Sequence, residues 1–251
     1  MAGHSKWSNI KRKKAKVDAE RGKIFTKIAK EISVAAREGG GDPAANFRLN
    51  AAIQKAREAN MPNDNIERAI KKGTGELEGV NYETVVYEGY GPEGTAVLCN
   101  VLTDNRNRTA GEIRYLFSRY NGNLGESGCV SWMFERKGML VVDLEETGQE
   151  EEDILLMAID HGAEDVKSEE GILEIYTEVE SFKDVKDNLE KEGIEISNAE
   201  ITMVPQNNVE ISELDTARTM VNLMDMLEDH DDVQEVYSNY DIPGEILSKI
   251  E

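Results

Sequence analysis

The chain has little of what builds a covalent or metal scaffold. Its 251 residues include two cysteines, Cys99 and Cys129, thirty positions apart. That spacing encodes neither a disulfide framework nor a metal knuckle. Of its three histidines, His4, His161 and His230, none stands at ligand spacing from another or from a cysteine. Aromatic residues are only 6%, which suits several small cores. No apolar run approaches the length of a membrane span. Residues 1–20 hold no apolar segment of a signal peptide, so a cytoplasmic location is expected. No serine-hydrolase elbow or metalloprotease histidine pair occurs, and the glycine-rich 122–128 lacks the Lys-Ser/Thr of a phosphate loop. Carboxylates are so plentiful that neighbours in sequence define no acid–base pair. The reading is a non-enzyme, with no catalytic residues, no metal and no cofactor.

Basic side chains are also in the minority, 29 against 50 acidic ones, for a net charge of −21. Such a chain should not coat nucleic acid or anionic membrane indiscriminately. The deficit is uneven. Residues 1–75 carry 17 basic and 8 acidic side chains, whereas 76–251 carry 12 and 42, so +9 faces −30. Asymmetry of this size points to a polyanion partner for the basic part, confined there by repulsion from the rest. The alternative is that the basic end docks on the acidic body.

Composition and periodicity divide the chain into an arm and three modules. Residues 1–20 are a basic arm. Residues 21–75 are a helical bundle: Ile24, Ile28, Ile32 and Ala35 recur at helical spacing, widened by Phe25 and Ala29. Asp42-Pro43 reads as the start of a second helix, with Phe47, Leu49, Ala52, Ile53 and Ala56 on its buried side. Asp64 and Glu67 read as a capping box for the third, closed at Gly73. Residues 82–90 and 95–102 form a hairpin around Gly91-Pro92-Glu93-Gly94, followed by a helix over 106–120. Residues 129–204 read as a second mixed segment, with strands at 130–135 and 138–144 on either side of Arg136-Lys137. A helix over 211–229 and a strand over 233–238 cannot bury themselves alone. They are assigned to the first mixed segment, giving a discontinuous α+β domain of 80–128 and 205–251 with 129–204 inserted.

Three places carry candidate contacts with nucleic acid. The arm holds Lys6, Lys11, Arg12, Lys13, Lys14 and Lys16 around Trp7, which either stacks on an exposed base or pins the arm to the bundle. A stripe of Lys23, Lys27, Lys30 and Arg37 falls opposite the apolar face of the first helix. Arg106 and Arg108 sit at a helix start, against the dipole preference, so each calls for an anion: an internal carboxylate or a phosphate. The acidic 228–232 reads as a solvated helix end rather than a cation site.

These residues resemble the YebC family. The resemblance rests on 3–16 (GHSKWSNIKRKKAK), 22–38, 60–72 (NMPNDNIERAIKK), 88–91 (EGYG), 102–109 (LTDNRNRT) and 128–138 (GCVSWMFERKG), and it spans essentially the whole chain. Asn121 and His161 are its small departures. It implies an N-terminal three-helix bundle plus two ferredoxin-like α+β domains, the third inserted into the second. It also implies a nucleic-acid-binding regulator of gene expression, either a DNA-binding transcriptional regulatory protein or a ribosome-associated, RNA-binding factor that relieves stalling at proline-rich stretches. The expected partner is thus DNA, or ribosomal or transfer RNA with the ribosome, and not a membrane.

Overall fold

The computed structural model describes residues 21–169 and 171–250. It opens with three helices: α1 (Arg21–Gly39), α2 (Phe47–Glu58) and α3 (Asn63–Thr74). Their shared core is Ile28, Ile32, Ala35, Leu49, Ala52, Ile53, Ala56, Met61, Ile66 and Ala69. Fully burying one such Ile or Leu contributes about 1.5–3 kcal/mol. Gly73 makes the tightest α1–α3 crossing possible, because a Cβ there would lie 2.3 Å from the Ser33 carbonyl.

Two helix starts differ from the sequence reading. α2 begins at Phe47, not at Asp42-Pro43, because Asn46 caps it. The Asn46 Oδ1 accepts the Leu49 N–H at 3.0 Å, while its Nδ2 donates to the carbonyls of Ala35 and Gly40, both at 2.8 Å. That leaves Phe47 at the first helical position and 90% exposed rather than buried. α3 starts directly after Pro62, without the expected capping box.

Strands β1 (Glu83–Tyr90) and β2 (Ala96–Thr103) pair antiparallel in register from Glu83↔Thr103 to Tyr90↔Ala96. α4 (Arg106–Arg119) buries Thr109, Ile113, Leu116 and Phe117. The bare backbone of Gly89 admits the Phe117 ring, which a Cβ would meet at 2.7 Å. β3 (Asn123–Leu124) pairs with the end of β1.

β4 (Phe134–Asp143) is one continuous strand where the sequence suggests two. Arg136-Lys137 does not break it, because Lys137 finds Glu164 at 2.6 Å and Glu178 at 2.9 Å. α5 (Glu151–Asp160), β5 (Asp165–Glu169), β6 (Ile172–Thr177), α6 (Phe182–Lys191) and β7 (Asn198–Pro205) follow. The antiparallel sheet runs β5-β6-β4-β7, a split β-α-β arrangement of ferredoxin-like type. Leu140, Val142, Ile154, Leu173, Ile175, Val185 and Leu189 fill its core.

β8 (Val209–Glu210), α7 (Leu214–Glu228), β9 (Val233–Ser238), β10 (Tyr240–Asp241) and a one-turn helix α8 (Gly244–Leu247) follow, with β8 and β10 pairing parallel. β9 joins the first sheet, whose order is β3-β1-β2-β9. Contacts gather the described residues into two compact units. One holds 21–129 and 219–237, the other 130–218 and 238–250. Residues 205–218 and 238–250, assigned by the sequence reading to the same module as 80–128, gather with 130–204.

Candidate nucleic-acid interface

The arm candidates Lys6, Trp7, Lys11, Arg12, Lys13, Lys14 and Lys16 lie outside the described residues. The remaining candidates fall in the unit of 21–129 and 219–237. α1 keeps Lys23 and Arg37 exposed but turns Lys27 and Lys30 inward. Lys27 Nζ donates to the Glu228 carbonyl at 2.5 Å. Lys30 Nζ donates to Asp232 Oδ1 at 2.7 Å and to the Asp231 carbonyl at 3.0 Å, and stands 5.3 Å from the centre of the Tyr82 ring. Arg37 donates to Asn81 Oδ1 at 2.9 Å and to the Tyr82 carbonyl. The acidic 228–232 is therefore not a plain solvated helix end. It is the counter-charge for α1.

Asp232 is the centre of this arrangement. Besides Lys30, its carboxylate accepts from Arg108 Nη2 at 2.8 Å, Thr109 Oγ1 at 2.8 Å and Thr103 Oγ1 at 3.2 Å. Burial alone would raise its pKa. The hydrogen bonds from Lys30, Arg108 and Thr109 more than offset that and hold it well below the usual carboxylate range. Burial lowers the Lys27 pKa, with Glu228, Asp229 and Asp231 opposing the shift only in part.

At the start of α4, Asn105 is the cap: its Oδ1 accepts the Arg108 N–H at 3.1 Å. The anion called for by Arg108 is internal, supplied by Asp104 at 2.8 Å and Asp232 at 2.8 Å. Arg106 differs. It is exposed and has no carboxylate within ion-pair distance among the described residues.

Glu112, His230 and Asp232 come close enough to be weighed as a cation site. Their donor atoms are already engaged. His230 Nδ1 accepts the Asp232 N–H at 3.1 Å, which places the ring proton on Nε2, facing Glu112 Oε2 at 2.9 Å. The group is a hydrogen-bond network anchored on the two cations that hold Asp232.

Other cations take the outward role in the bundle. Arg48 is paired with Glu38, and Lys55 reaches Glu31 at 3.5 Å and Glu235 at 3.6 Å. Arg57, Arg68, Lys71 and Lys72 are exposed with no such carboxylate among the described residues. Arg68, Lys71 and Lys72 share the outer side of α3, opposite Ile66 and Ala69. Arg68 and Lys72 also border an open groove of about 670 Å³ with Phe25, Ala29 and Tyr82. The signal was present in the sequence as the i, i+3, i+4 spacing, but Lys71-Lys72 reads first as a helix C-terminus.

A helical bundle leading into antiparallel α+β units, with cations kept outward on the bundle, defines the class of chain. The chain belongs to the TACO1/YebC family. The TACO1/YebC N-terminal domain matches residues 5–76, and the TACO1/YebC second and third domain matches 82–240. A relative from Halothermothrix orenii is 61% identical over 250 residues, covering 100% of this chain and 99% of its own. One from Persephonella marina is 58% identical over 251 residues, covering 100% of both. Both are named "Probable transcriptional regulatory protein". The fold matches the crystal structure of Aq1575, a conserved hypothetical protein from Aquifex aeolicus, with a TM-score of 0.78 and 53% identity over 93% of this chain and 95% of that one. No described helix is long and apolar enough to cross a membrane.

Proposed function

We propose that this protein is a nucleic-acid-binding regulator of gene expression, acting on DNA in transcriptional regulation. The observation that carries the reading is the row Arg68, Lys71 and Lys72, left outward while Lys27 and Lys30 are matched inside. The names of the relatives, given as regulators and not as enzymes, support it. The arm residues Lys6, Trp7, Lys11, Arg12, Lys13, Lys14 and Lys16 and the exposed Lys23 extend the same contact, with Arg106 beyond the bundle. In this reading Lys27 and Lys30 support the interface from inside, and Arg108, though exposed, is committed to Asp104 and Asp232.

A second reading, an RNA-binding factor on the ribosome, is favoured by one feature. The outward row is lysine-rich, and lysine holds phosphates without reading base edges. We also infer that 129–204 is an inserted module, since the four strands of its sheet and the core beneath them come from one stretch of chain.

Ultraviolet crosslinking in cells, with sequencing of the bound strands, tests the function. Discrete promoter fragments, lost in the Arg68→Gln/Lys71→Gln/Lys72→Gln variant, are the expected result. In a footprint, single mismatches should then cost about 1–3 kcal/mol. Ribosomal or transfer RNA reads would establish the second reading instead, and binding untouched by the triple variant would remove the α3 row from the interface.

A further inference from the structure

We propose that the outward face of α4, built from Gly111, Arg114, Tyr115, Ser118 and Arg119, is a second contact site that takes an unpaired stretch of RNA, its bases stacked on Tyr115 and its phosphates held by Arg114 and Arg119. The proposal rests on the nucleic-acid reading above and adds to it a site outside the helical bundle.

Charge is the first support. Beyond residue 75 the chain has 12 basic side chains against 42 acidic ones, and α4 holds four of the 12: Arg106, Arg108, Arg114 and Arg119. It carries a single carboxylate, Glu112, which faces His230. Arg108 is matched internally, whereas Arg114 is exposed with no ion-pair partner among the described residues. A local excess of arginine inside an acidic body selects an anion.

The second support is the ring. Tyr115 is 58% exposed, on the side of α4 away from Ile113, Leu116 and Phe117. Arg119 Nη1 donates to the Tyr115 hydroxyl at 2.9 Å, and the Arg119 guanidinium stands 5.8 Å from the centre of the Tyr120 ring. Ring and guanidinium are thus held side by side, a flat aromatic surface edged with positive charge. That is the combination on which unpaired bases stack while their backbone is neutralised.

The third support is Gly111. Glycine weakens a helix interior, and a packing need usually explains its presence. Here none does: its φ is not positive, and an added Cβ would meet nothing within 4 Å. Gly111 precedes Tyr115 by one turn, so it leaves bare backbone beside the ring. A strand can approach closely there. A duplex hides its base faces in the stack, whereas loops and ends of RNA expose them, which favours RNA. An acidic surface of a second copy would use the arginines but would need neither the ring nor the glycine.

The test uses the full chain and fluorescence anisotropy with a labelled 16-nucleotide single-stranded RNA of mixed sequence, with DNA of the same sequence, single-stranded and duplex, as the other arms. Tyr115→Ala should weaken RNA binding at least about fivefold, with Tyr115→Phe close to wild type. Arg114→Gln/Arg119→Gln should flatten the slope of log affinity against log salt by about 1.4. Gly111→Leu should raise the melting temperature yet weaken RNA binding, a pairing that a purely structural role would not produce. The proposal is overturned if these variants bind RNA as wild type does, or if they weaken duplex or single-stranded DNA as much as RNA. It is also overturned if they abolish self-association of the protein instead. Loss of binding confined to Lys71→Gln/Lys72→Gln would overturn this site and leave the bundle interface standing. A wild-type chain that binds no nucleic acid would overturn both.

Discussion

Lys30 and Asp232 lie 202 residues apart in the chain, and Lys30 Nζ sits 2.7 Å from Asp232 Oδ1 with both side chains almost wholly buried. The contact joins the first helix of the bundle to the turn before β9. Arg108, Thr103 and Thr109 converge on the same carboxylate. A carboxylate so enclosed is a structural fastener: removing its charge strands the buried Lys30, while Arg108 keeps Asp104 and solvent.

Asp232→Asn should therefore destabilise the unit by about 3 kcal/mol, the range for breaking a buried ion pair from one side. Urea unfolding would measure it. Lys30→Met/Asp232→Leu should be milder than the single variant, because no buried charge is left unmatched. An Asp232→Asn midpoint equal to wild type would remove the network from the account of stability.

Acid should act through the same group. The folded-state pKa of Asp232 is depressed, so the unfolded chain binds its proton first as pH falls. The stabilisation is complete above the unfolded value, about 3.9, and is lost as pH drops through that value toward the depressed one. Melting temperatures of wild type and Asp232→Asn, followed from pH 7 to 3, should stay apart down to about pH 4 and begin to draw together below it. Parallel curves would show that Asp232 carries no such linkage.

Asn46→Ala should cost about 1–3 kcal/mol, more than an ordinary cap. The side chain caps α2 and also satisfies the carbonyls of Ala35 and Gly40 at the end of α1. Thermal unfolding would show it, and Asn46→Asp, which keeps the cap acceptor but sets a carboxylate oxygen against the Ala35 and Gly40 carbonyls, should cost at least as much.

Gly73→Ala should destabilise although alanine is the better helix former. Its Cβ would fall 2.3 Å from the Ser33 carbonyl and 2.8 Å from the Ala36 Cβ. Overpacking of this kind costs about 1–3 kcal/mol. A gain in stability, measured by denaturant midpoint, would show that the α1–α3 crossing can open.

What was legible in the sequence followed local rules. The apolar spacing of Ile24, Ile28, Ile32 and Ala35 marks α1 correctly, and the Gly91–Gly94 turn marks the β1–β2 hairpin. The start of α2 is hidden because Asp42-Pro43 is a sound local signal, outweighed by the Asn46 cap and its two hydrogen bonds back to Ala35 and Gly40. β4 looks like two strands in the sequence because Arg136-Lys137 resembles a turn until folding brings Glu164 and Glu178 to Lys137. The lysine stripe of α1 was legible as charge, but not its destination. Helical spacing places Lys27 and Lys30 on one face, and only the fold brings residues 228–232 there. For Arg108 the need for an anion was legible and its identity was not.

The closing of α1 onto residues 228–232 also sets an order of events during synthesis. The bundle, the hairpin and α4 leave the ribosome long before the segment that completes their unit. Until residue 237 has emerged, β2 lacks its β9 neighbour and Lys27 and Lys30 lack their acceptors. This unit can reach its final form only when the chain is nearly complete, whereas 130–205 has all four strands of its own sheet earlier. A nascent chain halted between the two would display its lysines to whatever polyanion is nearest, and in that setting the nearest is the ribosome making it.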